Sequence, residues 1–498
     1  MDTHARPVRI GGRLSGGLMA VSLAAVLAGC TSMGGPGALL NAPRGTPPVP
    51  SVEAAAAEAP AAFRDMPPAP AGDSARWWAV FADPVLDGIV RAALDESISV
   101  QLAQARLAEA RSQGTSLVAG FAPRLTASAG SDTTTVLSGP DLIGDNGERE
   151  TQQTTGTAAL RASWELPLFG RLRSGIQGRD AGVAAAEADV EAAKVAVVAD
   201  LAAAYIDLRT AQLRVTYLED DLARAERLVR IAEDRLRVGL ISRADSGQAR
   251  GQAAAVRAQL PDARLAVRAG LDRIALLRGV MPGSLDAVLA NETPGEAQVF
   301  KTDVPEVTSI PAELLRRRPD VRRAEQTALA QAAAVGVARA DLYPSVSIQG
   351  AISLLGALSG NPIGEAIGRG SLSPVISLPL FDFGQRQASL AGADARFQQA
   401  LLNYRATTLT AVQEGQQALA AYQLARERVS ASAASERAAQ ERFRATDSAF
   451  RAGILSLKEL LEAEDFLSQA RLNRLTAQAR VSDAAVGLYR AFAGSPGI

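Results

Sequence analysis

The sequence predicts an α+β membrane protein that carries a few β-strands of membrane-spanning length on two pairs of very long helices. Three observations predict it. The chain states its pattern twice: RVGLISRAD at 237–245 returns as RAGILSLKE at 451–459, and WELPLFGR at 164–171 returns as SLPLFDFGQR at 377–386. A period of roughly 210 residues marks an internal two-fold repeat. Long proline-free stretches hold apolar residues on a seven-residue beat. Short stretches beside them alternate apolar and polar residues with a period of two.

Bulk numbers narrow the function. With 498 residues the expectation is several domains. A net charge of −1 provides no field for nucleic acid, so no nucleic-acid partner is expected. His4 and Cys30 are the only residues of their types. Zinc sites need several His or Cys ligands, triad nucleophiles normally need a His, and disulfides need paired cysteines. Scattered carboxylates leave a glycosidase-like pair or a hard-metal site formally open, but the expectation is a non-enzyme without a cofactor.

The N-terminus reads as an address. Arg6, Arg9 and Arg13 precede the apolar run LMAVSLAAVLAG, which ends at Cys30. A basic start and an apolar run too short to span a bilayer describe a signal peptide over 1–29. Leu27-Ala28-Gly29-Cys30 resembles the bacterial lipoprotein box, which implies cleavage before Cys30 and a covalent lipid on it. Thr31, rather than an aspartate, favours outer-membrane sorting in such lipoproteins. Residues 30–75 are rich in Pro, Gly and Ala and read as an extended tether. WWAVFADPVL at 77–86 is the first stretch that looks packed, an apolar clamp at a domain start.

The first repeat is expected over 76–283. From about Ile176 to Val238 there is no proline, and Leu201, Leu208, Val215, Leu222, Val229 and Leu236 recur every seventh residue. Ala204, Ala211, Leu218, Ala225 and Ala232 run beside them. A sustained heptad implies left-handed supercoiling, and the alanines let neighbouring helices approach. About 63 residues at 1.5 Å each make a rod of roughly 95 Å. Gln385–Ala452 is its counterpart. Each rod ends at a glycine, Gly239 or Gly453, suited to a left-handed C′ position. Ser242 with Asp245, and Ser456 with Glu459, then have the spacing of capping boxes that start return helices. The first return helix carries Leu260, Val267 and Ile274. Coiled hairpins are therefore expected at 175–280 and 384–493, with 284–310 a linker and 311–498 the second repeat. A coiled-coil spacer would share all of this.

The strands argue against a mere spacer. Near 121–131, Leu125, Ala127 and Ala129 alternate with Thr126 and Ser128. Near 155–169, Leu160, Ala162, Trp164, Leu166 and Leu168 alternate with Arg161, Ser163 and Glu165. Near 342–353, Leu342, Val346 and Ile348 face away from Tyr343, Ser345, Ser347 and Gln349. Near 372–382, Leu372, Ile376, Leu378 and Leu380 oppose Ser373 and Ser377. Such segments of about ten residues match transmembrane β-strands, and the long polar loops joining them suit an extracellular face. Membrane barrels begin at eight strands, because lipid cannot satisfy an open edge. Four strands must therefore be pooled among copies of the chain, two copies giving eight and three giving twelve. Two soluble hairpins would be the alternative.

These residues carry a family resemblance. The chain resembles the TolC/OprM-like outer membrane factors, in the lipoprotein branch that serves RND-type efflux pumps. The resemblance spans essentially everything after Cys30. It rests on Trp77-Trp78-x-x-Phe81-x-Asp83-Pro84, on Trp164-Glu165-Leu166-x-Leu168-Phe169-Gly170-Arg171, on Pro311-x-x-Leu314-Leu315-x-Arg317-Arg318-Pro319-Asp320-Val321-x-x-Ala324-Glu325, on Leu378-Pro379-Leu380-Phe381-x-x-Gly384 and on the two glycine turns. It implies a homotrimer with a twelve-stranded outer-membrane β-barrel, embedded in outer-membrane lipid and continued by a periplasmic α-helical barrel, with an equatorial region near 50–85, 280–315 and the C-terminus. The implied activity is a passive, gated exit duct for small molecules. Its implied partners are a periplasmic adaptor (membrane fusion protein) and an inner-membrane RND pump.

The same resemblance places Glu462 at a periplasmic constriction where many relatives have Asp, with Glu459 one turn earlier. Lys458 stands where some relatives are apolar. Asp245 occupies the equivalent place in the first turn, with Arg243 and Arg451 as candidate partners. Acidic rings favour cations and raise one another's pKa; a solvated face with a Lys458–Glu462 pair is the plainer reading. Gly239, Leu240, Gly453 and Ile454 resemble tips gripped by adaptor hairpins. A type I protein-secretion duct and a lipid-tethered coiled-coil structural protein of the periplasm are the rivals. The lipoprotein box and the RRPDV stretch favour efflux over the first, and the alternating strands oppose the second.

Overall fold

A computed structural model describes residues 74–135, 142–143, 149–150, 152–290, 317–357 and 367–492. The signal peptide, Cys30 and nearly all of the tether lie outside them. After a short 3-10 helix at Ser74–Phe81 come α1 (Pro84–Glu96), α2 (Ile98–Ala119), β1 (Arg124–Thr135), the short pair β2 (Leu142–Ile143) and β3 (Arg149–Glu150), and β4 (Gln152–Leu166). Then follow α3 (Arg171–Arg237), α4 (Arg243–Arg278), α5 (Asp286–Ala290), α6 (Pro319–Ala340), β5 (Ser345–Ala357), β6 (Ile367–Ser377), α7 (Gln385–Arg451) and α8 (Leu457–Ala491). None of the described helices is long and apolar enough to cross a membrane.

The chain divides into two units. One takes in Val118–Ile176 and Ala332–Ala395. Its centre is an antiparallel sheet in the order β1-β4-β5-β6. Pairing is continuous, from Arg124↔Ser163 to Thr135↔Gln152, from Thr155↔Ala357 to Leu166↔Val346 and from Ser345↔Ser377 to Leu355↔Ile367. The strands stop short of the apolar runs read from sequence. Leu168, Leu342, Leu378 and Leu380 lie outside them. Pro167 and Pro344 directly flank ladder ends, where a missing N–H costs nothing, whereas Pro374 lies inside β6, which pairs on one side only within the described residues.

The other unit takes in the described residues of Pro48–Leu117, Gln177–Gln331 and Arg396–Ile498. Its main core buries Trp77, Trp78 and Phe81 among Leu86, Val90, Leu201, Leu208, Ile274 and Leu289. Asp83 explains the Asp-Pro that follows the tryptophans. Its Oδ1 caps α1 by accepting from the Val85 and Leu86 N–H groups at 2.8 and 3.2 Å, while Pro84 opens the helix, where its missing N–H costs nothing. Its Oδ2 accepts from the Tyr205 hydroxyl at 2.5 Å, tying α1 to α3. Trp77 stacks on Tyr489 at 5.0 Å. The small-residue heptad line is buried along its length: Ala204, Ala211, Leu218, Ala225 and Ala232 are all core residues. Proline 261 lies inside α4, which continues through it with one backbone hydrogen bond fewer.

α3 and α7 both have 67 residues, and α4 and α8 have 36 and 35. The backbone specials also recur in step. Phe169-Gly170 and Phe383-Gly384 carry φ of 58°, 84°, 52° and 83°, and Gly239 and Gly453 carry 72° and 75°.

Candidate functional site

The sheet presents one apolar face. The register aligns Leu125 with Ala162, Ala127 with Leu160, Leu160 with Ile352, Gly350 with Leu372 and Val346 with Ile376. Thr126, Arg161, Ser163, Ser347, Gln349, Ser371 and Ser373 fall on the other face by the same register. The apolar face is uncovered: Leu125 is 65% exposed, Ile352 63%, Leu372 76% and Ile376 73%. A contiguous exposed patch of this kind needs lipid or protein against it. Within the described residues β1 and β6 each pair on one side only, so both edges are open.

Every aromatic residue of this unit sits at the end of the sheet where strands give way to helices. Trp164 donates its indole N–H to the Phe121 carbonyl at 3.0 Å. Phe169 stacks on Tyr343 at 5.1 Å, and Phe381 lies against Phe383 at 4.5 Å with both exposed. An apolar band bounded by aromatic rings is the pattern of a membrane-embedded sheet.

The second candidate region is the pair of hairpin turns. Leu240 N–H donates to the Arg235 carbonyl at 2.8 Å and Gly239 N–H to Leu236 at 3.0 Å; Ile454 and Gly453 repeat this with Ala449 and Phe450 at 2.9 and 3.1 Å. These are Schellman closures, which require the left-handed glycine. Leu240 is 73% exposed and Ile454 76%. The turns are adjacent: Leu228, Ala232 and Ala249 of the first hairpin pack with Phe450, Leu457, Leu460 and Leu461 of the second, and Arg235 lies 3.9 Å over the Phe450 ring.

Both capping boxes form. Ser242 Oγ accepts from the Asp245 N–H at 3.1 Å and Asp245 Oδ2 accepts from the Ser242 N–H at 3.1 Å. Glu459 Oε2 accepts from the Ser456 N–H at 2.8 Å. The Ser242 hydroxyl and N–H hold the Asp245 carboxyl below its usual range, with Lys458 adding a smaller pull in the same direction. The Ser456 N–H and hydroxyl do the same for Glu459. Lys458 Nζ is 3.9 Å from Glu462 Oε1, and both side chains are exposed. Arg451 pairs with Asp447 at 2.8 Å, and Lys458 is the cation whose charge reaches Asp245.

Sequence reasoning missed a buried ionic seam between the hairpins. Arg224 of α3 bonds Asp221 and donates from Nε to Glu464 of α8 at 2.7 Å, and Ser468 of α8 bonds Asp221. Asp221 and Glu464 are both buried. It also missed Arg318, which is buried, donates to the Ala491 carbonyl at 3.0 Å and pairs with Asp320 and Glu414 at 2.7 and 2.5 Å. The RRPD stretch is thus a staple joining the start of α6 to α7 and the end of α8. Its two-residue Arg–Asp spacing was the available signal.

A sheet with a naked apolar face and an aromatic rim, in a chain whose remaining bulk is coiled hairpins, is the pattern of a β-sheet membrane protein with a separate helical unit. The chain belongs to the outer membrane efflux protein family, whose profile matches residues 89–280 and 310–494. It is 31% identical over 404 residues to nodulation protein T of Rhizobium leguminosarum bv. trifolii, covering 80% of this chain and 83% of that one. It is 27% identical over 446 residues to the pyoverdine export outer membrane protein OpmQ of Pseudomonas aeruginosa, covering 85% and 88%. Among solved structures, the outer-membrane channel OprN matches with a TM-score of 0.77 at 29% identity, over 88% of this chain and 96% of that one. The protein is accordingly an outer-membrane efflux protein.

Proposed function

We propose that this chain is the outer-membrane exit duct of a tripartite efflux pump, passively conducting small molecules handed over by a periplasmic adaptor and an inner-membrane RND pump. The observation that carries this reading is the four-stranded sheet with an exposed apolar face and two open edges, which needs further strands to exist in lipid. Three copies close a twelve-stranded barrel and pool their hairpins into a periplasmic tube. The matched helix lengths and recurring left-handed residues support an internal duplication as the source of this arrangement. Relatives described as efflux or export proteins for toluene, pyoverdine and cations support small cargo over polypeptide.

In the same reading Cys30 carries the lipid anchor, Glu459, Glu462, Asp245 and Lys458 line the periplasmic gate, and Gly239, Leu240, Gly453 and Ile454 meet the adaptor. The adjacency of the two turns and their exposed Leu240 and Ile454 support the last two assignments. Purified protein is expected to run as an SDS-resistant trimer and to show low, cation-selective conductance in planar bilayers. Glu459→Gln with Glu462→Gln is expected to alter that conductance. An unchanged conductance removes the gate assignment, and a detergent-free soluble monomer removes the duct.

A further inference from the structure

We propose that the strand–helix junction holds a binding site for a zwitterionic phosphoethanolamine headgroup, the polar end of an aminophospholipid. The inference rests on the reading of the sheet as a membrane band. A cavity of about 360 Å³ lies where β4 and β5 meet the first turns of α3 and α7. Its wall carries two guanidiniums, Arg171 and Arg386, and two carboxylates, Glu165 and Asp341. Arg171 Nη1 sits 2.8 Å from Glu165 and 3.6 Å from Asp341, while its Nε is buried without a hydrogen-bond partner. Arg386 donates to the Asp341 carbonyl at 2.5 Å and stands 3.4 Å from Asp382 beside the cavity. The stacked rings of Phe169 and Tyr343 close one side.

The chemistry selects the ligand class. A guanidinium fork suits a phosphate. With Asp382 beside the two lining carboxylates the site has no excess positive charge and gives an anionic headgroup no net attraction, whereas a phosphate joined to an ammonium can meet a guanidinium and a carboxylate at once. Placement agrees, because the aromatic rim marks headgroup depth. Leu168 of the cavity wall is exposed and offers apolar surface for an acyl chain. Either a membrane lipid or a free phospho-compound could supply the same headgroup chemistry.

The test is thermal unfolding of the full-length protein in detergent, titrated with phosphatidylethanolamine, phosphatidylglycerol, soluble phosphoethanolamine or inorganic phosphate. Binding to the folded state raises the midpoint by mass action. Phosphatidylethanolamine is expected to raise it by several degrees, with phosphatidylglycerol and inorganic phosphate without effect. A shift with soluble phosphoethanolamine alone would assign the headgroup to a free ligand and overturn the lipid. The shift is expected to vanish in Arg171→Gln/Arg386→Gln. It is also expected to vanish in Ser389→Phe, which fills the cavity from its exposed rim and keeps both guanidiniums. An equal response to phosphatidylglycerol, or a response that survives in both variants, overturns the site. Loss of detergent binding would instead refute the membrane band, so the two failures are distinguishable.

Discussion

Asp483 on α8 is half-buried, and its Oδ1 is buried without a hydrogen-bond partner. Burial, with Asp207 of α3 adding like charge, pushes its carboxyl up to about 6. Arg273 stands 3.8 Å from Asp207 and offsets part of that charge. The folded chain therefore ionises Asp483 less readily than the unfolded chain does. Its cost is absent in acid and grows as pH rises from the ordinary carboxylate range through about 6. Asp483→Asn is expected to raise the melting temperature at neutral pH and to change nothing in acid. Asp245 and Glu459 have the opposite sign. Their carboxyls sit below the usual range, so their caps hold above it and are lost only as pH falls through the lowered values.

At the scale of elements, the hairpin turns separate geometry from contact. A Cβ built on Gly239 or Gly453 meets nothing within 4 Å, so the left-handed backbone is the only obstacle to a side chain. Gly239→Ala or Gly453→Ala is expected to cost roughly 1 kcal/mol each in a denaturation curve. On the proposed trimeric duct, Leu240→Asp with Ile454→Asp touches no backbone requirement and is expected to cut small-molecule export while leaving trimer content unchanged; disappearance of the trimer would make these folding residues. These turns were legible because caps and Schellman glycines act over three to six neighbouring residues. The heptad seams were legible for the same reason, since Ala204 and Ala232 lie on one face of one helix. Strand limits were less so, because the apolar alternation runs on past Pro167, Pro344 and Pro379 while the ladders stop short of them, and Pro374 inside β6 means that a proline alone does not mark the limit. The ionic seam was invisible: Arg224 and Glu464 are 240 residues apart, and nothing in either local sequence announces the other. The RRPD stretch was read as a family mark, but its buried arginine was not read as a staple.

At the scale of the molecule, membrane and helical roles are divided by residue type. The described strands are mainly Thr, Ser, Gly, Ala, Leu and Ile with a few charged residues such as Arg161 and Glu165, and Trp164 is their only aromatic residue. The sequence has three tryptophans. Trp77 and Trp78 are sealed in the helical core at 4% and 3% exposure. Trp164 alone stands at the aromatic rim with its N–H held by Phe121. The molecule consequently carries its own optical depth gauge. Lipids brominated near the glycerol end of the chain are expected to quench a single component of the indole emission more strongly than lipids brominated at mid-chain. The two shielded indoles supply a constant reference signal.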